Sequence, residues 1–386
     1  PVMQKSDKKV VSLFEKTNPG FQKITLTDSL RLKRGGYLKN PVLAYETWGE
    51  LSKEKDNIIV ILTGLSASSH VASSVTNPET GWWEGMVGKG KAFDTNKYYV
   101  VCINSLGSCF GSTGPASINE ITGEPYRLTF PELTIDDMAT ASKLLFDKLE
   151  IKSIHTLVGP SMGGMHSLAL IIQNNNFVRN FIAISTARQS LPYSIAIRSL
   201  QREVIRKDPL WKNGYYSYDN PPLNGVRIAR KLGMLSYRSA DEWAQRFGRK
   251  KSAKTEITQN TFGIENTGFE FEIESYLEHL AIKFQNVFDA NSYLYLSRSI
   301  DWFDLVDYGS SPNEILGQTG LSNALVLGVE SDTLFPVSQQ KEIAEYLASG
   351  TTKVAYKSLD CLQGHDSFLV DIETFSREIK CFLENL

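Results

Sequence analysis

Ser161 stands in "VGPSMGGM" (158–165), which sets Gly159, Ser161 and Gly163 in the pattern G-x-S-x-G. A serine hydroxyl is a poor nucleophile at neutral pH unless a base takes its proton. The chain holds five histidines: His70, His155, His166, His279 and His365. His155 opens an apolar strand-like run, and His166 and His279 fall inside helix-like stretches. His70 ends a Gly/Ser-rich loop where it could line a pocket, whereas His365 sits in "QGHDSF", beyond the last strand-like run. An orienting acid belongs just after the preceding strand, where "LVLGVESDTLFP" offers Asp332 and its rival Glu330. Asp332 has the better loop position, because the strand must end before the acid can reach out. Ser161, Asp332 and His365 therefore form the expected catalytic set, with Asp332 holding the imidazole tautomer and stabilising the imidazolium. The chemistry is acyl transfer through a serine ester. Its oxyanion needs two backbone N–H donors. Met162, at the start of the following helix, is one. Leu62 or a neighbour in "ILTGLSASSH" (61–70) is the other.

Such a serine reacts only if it sits on a tight turn between a buried strand and a helix. "SIHTLVG" (153–159) reads as that strand and "MGGMHSLALIIQ" (162–173) as that helix. The flanking glycines fit the crowding of the turn. Strand-like runs also occur at 21–27, 41–49, 57–64, 97–107, 180–187, 323–332 and 352–360. "NIIVILTG" and "KYYVVCINSLG" are short apolar runs ending in Gly, the signature of strands buried on both faces. Helices are expected at 134–151, with Thr134 as N-cap, at 336–349, and at the C-terminal end. Strand and helix alternate, so the expected fold is α/β: a mostly parallel, doubly wound sheet. Residues 188–310 break the alternation with apolar spacing nearer 3.6 than 2. They read as a helical lid inserted between core segments 1–187 and 311–386, with a polar loop at 251–269 and a loose start at 1–20.

The formal net charge is −2, from 41 basic and 43 acidic residues, and gives no sign of a nucleic-acid footprint or a polybasic membrane patch. No apolar run approaches the roughly 20 residues that span a bilayer. "PVMQKSDKKV" does not read as a secretory leader. Cys102, Cys109, Cys361 and Cys381 are scattered, with no C-x-x-C pair, so a reduced cytoplasm and no metal site are expected.

Further stretches carry a resemblance. "AYETWGEL" (44–51), "GWWEGMVGKGKAFDT" (81–95), "YYVVCINSLGSCFGSTGPASIN" (98–119), "SMGGM" (161–165), "RIARKLGMLSYRS" (227–239), "SDTLFP" (331–336) and "GHDSFLVD" (364–371) follow one another in order. With them the chain resembles, over nearly its whole length, the homoserine O-acetyltransferase family of α/β-hydrolase-fold amino-acid O-acyltransferases. The resemblance implies an α/β-hydrolase fold, acyl-CoA as co-substrate, no permanently bound cofactor, and homodimers joined through the lid helices. It implies ping-pong chemistry, in which acyl-CoA acylates Ser161 and an amino-acid hydroxyl then takes the acyl group. Carried over by motif, Arg230 would grip the acceptor's α-carboxylate, Asp366 its ammonium, and Tyr237 would share the pocket.

The chain departs from the family pattern H-A-L-T-G-D-x-H in its first loop. It reads "VILTGLSASSH", with Val60 for the His and no Asp after the Gly. With "ISTARQSLPYSIAIRSLQRE" (184–203) and "LYLSRSIDWFDL" (294–305) this looks closer to the serine O-acyltransferase branch, serine O-succinyltransferases included. The expectation is an acetyl or succinyl group moved to L-serine, ahead of L-homoserine, yielding a cysteine or methionine precursor. Arg188 is the residue expected to pair with a succinyl carboxylate, against the alternative of a structural ion pair. The rival readings are a homoserine O-acetyltransferase proper, an esterase or deacylase of the same fold, and a non-catalytic binding protein.

Overall fold

Ile58–Leu62 is a strand of five consecutive apolar residues, all buried. Its neighbours explain why alternation is absent. Ile59 and Ile61 point into one core with Val100, Cys102, Val158 and Ile182. Ile58, Val60 and Leu62 point into a second core with Val101, Ile103, Leu157 and Phe181. Both faces of the sheet are covered, so every side chain of a central strand is apolar.

The computed structural model describes residues 19–252 and 269–386. The central sheet has eight strands: β1 (Gln22–Thr25), β2 (Val42–Trp48), β3 (Ile58–Leu62), β4 (Tyr99–Ile103), β5 (Ile154–Pro160), β6 (Val178–Ile184), β7 (Asn323–Val329) and β8 (Lys353–Leu359). Their order across the sheet is β1-β2-β4-β3-β5-β6-β7-β8. β1 and β2 are antiparallel to their neighbours, and the other pairings are parallel. The carboxyl ends of β3, β5, β6, β7 and β8 therefore open on one edge, where ligands of such sheets bind.

Helix α1 (Ile135–Lys148) begins with a capping box. Thr134 Oγ1 accepts from the Asp137 N–H at 3.2 Å, and Asp137 Oδ2 accepts from the Thr134 N–H at 2.9 Å. Helix α2 (Met162–Gln173) follows the serine turn and is buried over most of its length. Between β6 and β7 the described residues carry α3 (Pro192–Lys207), α4 (Leu223–Tyr237), α5 (Ala240–Arg246), α6 (Glu272–Gln285) and α7 (Ala290–Trp302), and none adds a strand to the central sheet. Helix α8 (Val337–Ala348) links β7 to β8, and α9 (Ile372–Glu384) closes the chain with Phe375, Ile379 and Leu383 on its buried stripe. The expected loop at 251–269 and the expected loose start at 1–20 lie, for their greater part, outside the described residues. No helix among the described residues is long and apolar enough to cross a membrane.

Candidate active site

Ser161 occupies the junction of β5 and α2 with φ 54° and ψ −123°, a conformation that costs a residue with a side chain on the order of 1–3 kcal/mol. The surroundings hold it there. Its N–H donates to Ile184 O at 2.9 Å, and its carbonyl accepts from Thr186 Oγ1 at 2.7 Å. A Cβ at Gly163 would overlap the Leu62 carbonyl, and one at Gly159 would overlap the Gly163 carbonyl. Only glycine lets the turn close against β3, and that is the physical content of the G-x-S-x-G spacing.

His365 Nε2 lies 2.8 Å from Ser161 Oγ, and His365 Nδ1 lies 2.7 Å from Asp332 Oδ2. The other oxygen of Asp332 accepts from the Leu334 and Phe335 N–H groups, each at 2.9 Å. Glu330 faces elsewhere, accepting from Ser358 Oγ at 3.2 Å. Phe335 stacks on the imidazole with ring centroids 5.1 Å apart, and Tyr237 and Phe368 each stand at 6.2 Å. Burial pulls the His365 pKa down, but the Asp332 charge and hydrogen bond, joined by Asp366, outweigh it and leave it above the ordinary histidine value.

A cavity of about 320 Å³ opens over this pair. The sheet side contributes Ser161, His365, Asp366 and the loop Gly64–Ala67, and the helical side contributes Arg198, Gln201, Arg230, Tyr237 and Tyr293. Leu62 corrects the expectation for the second oxyanion donor. It is the last residue of β3, wholly buried, and does not line the cavity, because its carbonyl is packed under Gly163. The lining residues of that loop begin at Gly64. Met162 is the first residue of α2, where the helix leaves its N–H groups without intrahelical acceptors.

Arg230 projects from α4 over the rings of Phe284 and Tyr237, 4.5 and 5.5 Å from their centroids. Its Nη1 donates to Ser66 Oγ at 3.4 Å, and its buried Nε has no partner. Arg230 is half-buried with no carboxylate in ion-pair distance, so its buried Nε–H is an unmet donor that an anion arriving in the cavity would help to satisfy. Asp366 receives Arg238 Nε at 3.3 Å, and Arg238 also pairs with Glu242. Burial pushes the Asp366 carboxyl up, while His365, Arg238 and Arg230 hold it down less strongly. Burial likewise raises Tyr237, the Tyr237 hydroxyl lying among Arg230, Asp366 and Arg198.

Arg188 is a second correction. Its Nε donates to Glu342 Oε1 at 2.7 Å and its Nη1 lies 3.6 Å from Asp304 Oδ1; it does not line the cavity. It is a structural ion pair. Arg198, one helix further on, lines the cavity instead and was missed. Arg198 and Arg202 stand four apart in "IRSLQRE", and i,i+4 arginines on one helix face were the available signal. His70 is bound to Glu46 Oε1 at 2.9 Å and to Glu79 O at 2.7 Å and does not line the cavity. Among the described residues no three His, Cys, Asp or Glu side chains cluster as metal ligands.

Residues 57–369 match the family described as alpha/beta hydrolase fold. The chain is 48% identical over 369 residues to a serine O-succinyltransferase of Stenotrophomonas maltophilia strain K279a, covering 95% of this chain and 98% of that one. Its fold is similar to that of a homoserine O-acetyltransferase from Bacillus anthracis, with TM-score 0.84, 26% identity and 94% and 97% of the two chains covered. It is also similar to esterase E22, with TM-score 0.82, 25% identity and 94% and 99% covered.

Proposed function

The chain belongs to the α/β-hydrolase family as an amino-acid O-acyltransferase, and from that premise we propose that it moves a succinyl group from succinyl-CoA to the hydroxyl of L-serine. The observation that carries the reading is Arg230, a half-buried guanidinium with no ion-paired carboxylate and a buried, unpartnered Nε, in the same cavity as the Ser161–His365 pair. An enzyme that only hydrolyses esters needs no such group, whereas an amino-acid acceptor brings an α-carboxylate that must be anchored to outcompete water. The names of relatives at 48% identity favour serine as acceptor and succinyl as the acyl group.

In this mechanism His365 Nε2 takes the Ser161 proton as Oγ attacks the thioester carbonyl. The oxyanion is held by the Met162 N–H and by an N–H of the Gly64–Ser66 loop, for which Leu65 is the choice. The C–S bond then breaks, and CoA leaves with the proton that His365 returns to sulfur. L-Serine binds with its carboxylate on Arg230 and its ammonium on Asp366, Tyr237 closing one side. His365 takes the serine hydroxyl proton, the hydroxyl oxygen attacks the succinyl-enzyme carbonyl, and Ser161 leaves reprotonated. The product, O-succinyl-L-serine, carries a good leaving group at its β-carbon and suits a sulfur-adding step toward cysteine. The helices α3 to α7 between β6 and β7 act as the lid that narrows access. Homodimers form through its helices, and the site of action is the cytoplasm.

The test is a matrix of acetyl-CoA and succinyl-CoA against L-serine and L-homoserine, read by thiol release and product mass. Succinyl-CoA with L-serine is expected to give the highest kcat/KM. Ser161→Ala is expected to abolish CoA release, and a succinyl adduct on wild-type Ser161 should appear by mass spectrometry when no acceptor is present. Thiol release unaffected by either amino acid would identify an esterase instead.

A further inference from the structure

We propose that His70 is a positioning residue for the acyl transfer: as an imidazolium paired with Glu46, it fixes the loop that presents the second oxyanion donor. The inference rests on the chemistry at Ser161 proposed above, and on neither the acyl group nor the acceptor. That loop needs an anchor. It leaves the end of β3 and lines the cavity through Gly64, Leu65, Ser66 and Ala67. The N–H groups of these four residues find no backbone acceptor among the described residues. An oxyanion hole works because its donors are in place before the charge develops. The order of this loop must therefore come from its ends.

Both ring nitrogens of His70 face acceptors. Nδ1 lies 2.9 Å from Glu46 Oε1, and Nε2 lies 2.7 Å from the Glu79 carbonyl. A carbonyl has no proton to give, so Nε2 carries one. An ionised carboxylate has none either, so Nδ1 carries the second. The result is a buried ion pair, with His70 6% and Glu46 2% exposed. Asn77 Nδ2 stands 3.5 Å from Nδ1, beyond a good hydrogen bond. The charged groups facing the ring are Glu46 and Glu79, and the buried Cys102 thiol of β4 lies near enough to Glu46 to feel its charge. Burial pulls the His70 pKa down, but the Glu46 and Glu79 hydrogen bonds and charges outweigh it and leave it above the ordinary histidine value.

The same carboxylate holds the end of the loop. Glu46 Oε2 accepts from Ser69 Oγ at 2.8 Å, and the Ser69 N–H donates to Asn104 Oδ1 at 2.7 Å. Asn104 Nδ2 returns a bond to Ser69 Oγ at 2.8 Å. The His70 N–H donates to Ser68 Oγ at 3.2 Å, and the Ser68 carbonyl accepts from Trp82 Nε1 at 2.7 Å. Trp82 itself lines the cavity. Ser68, Ser69 and His70 are thus tied to β2, to the residue after β4 and to the cavity wall, directly beyond Ala67. Losing a proton from His70 breaks this arrangement. A bare Nε2 would set its lone pair against the Glu79 carbonyl, and a bare Nδ1 would set its own against Glu46. A buried network with one repulsive contact is worse than none, so the ring moves and the loop end moves with it.

The experiment reads protonation and rate separately. Nitrogen-15 NMR of histidine-labelled wild type is expected to show His70, assigned by its absence in His70→Gln, with both ring nitrogens protonated at pH 8. Single-turnover acylation of Ser161, without acceptor, is then followed against pH with succinyl-CoA and with p-nitrophenyl acetate. In Glu46→Gln burial remains and the Glu46 charge is gone, so the high-pH limb should move down by one unit or more. Its saturating rate at pH 8 should fall about 100-fold with both probes, as for a lost oxyanion donor, while the half-saturating concentrations stay within about threefold. His70→Gln cannot titrate and should be slow with no such limb. Ser69→Ala keeps the ion pair, removes one tie, and should slow both probes about tenfold with the limb in place, which serves if Glu46→Gln does not fold. A neutral His70 in wild type at pH 8 overturns the assignment. So do variants that lower Tm yet keep the wild-type saturating rate and limb, the mark of a pair that only holds the fold together. A wild type acylated by neither probe defeats the proposed reaction and this inference with it, whereas normal acylation with unmoved variants defeats the inference alone.

Discussion

Asp332 shows how one side chain governs the working range of another. Burial alone would keep His365 neutral to low pH; the Asp332 charge and hydrogen bond reverse that and raise the imidazole pKa. The base works only when neutral. Rate should therefore rise with pH through a limb set above the ordinary value of about 6.5. In Asp332→Asn burial and the Arg198 charge remain and the raising influence of Asp332 is gone, so the limb should move to lower pH. The plateau should fall by about 10⁴, since Asn favours the wrong tautomer. Single-turnover CoA release against pH measures both, and a limb that stays in place would refute the account. These three residues were legible in the sequence because each needs a particular place in the chain: an elbow glycine, a loop after a strand, a loop after the last strand. Arg188 and Arg198 were not separable that way. Both are arginines in the same quoted stretch, and which faces the cavity depends on Glu342 and Asp301, whose side chains come from α8 and α7.

Helices α1 and α2 pack through a polar contact inside an apolar layer. His166, buried on α2, has Nε2 2.8 Å from Ser142 Oγ on α1, and its Nδ1 has no partner. Burial lowers its pKa to about 4, with a small opposing contribution from the Met138 backbone. The unfolded chain therefore binds a proton below about 6.5 that the folded chain refuses until about 4, and stability falls as pH drops through that window. From pH 7 to 5 the loss from this residue is about 2 kcal/mol, at about 1.4 kcal/mol per unit. His166→Gln keeps a hydrogen-bonding group and cannot titrate. Urea midpoints at pH 7 and 5 should then differ less in the variant than in wild type, by about that amount. Equal differences would show that His166 is not the acid-sensitive contact. At this scale the strands were easy to read, because burial on both faces writes continuous apolar runs. The sheet order was not: β4 lies between β2 and β3, and nothing in a strand's own residues states its neighbour.

At the scale of the whole molecule, the helices between β6 and β7 leave large apolar side chains in water. Leu200 on α3, Ile228 and Leu235 on α4, and Ile282 on α6 are exposed, and Leu235 has 55% of its surface in water. Leu200, Val204, Pro209 and Ile228 line a groove of about 440 Å³ between α3 and α4. Single exposed leucines are ordinary, whereas several on helices that also line a cavity are where a partner surface would pack. A second copy is the occupant that the family resemblance implies, and a closed pair presents the same patch from both sides. Composition could not reveal this, because a net charge of −2 describes the chain and not its faces. The expected outcome is a dimer by sedimentation velocity at micromolar concentration, converted to a monomer by Leu200→Asp/Ile228→Asp. The same helices carry Arg198 and Arg230. Losing the partner should therefore loosen the cavity, raising the serine KM more than it slows the acylation of Ser161. A double variant that is monomeric yet keeps the wild-type serine KM would separate the interface from the site, and a monomeric wild type would remove the interface altogether.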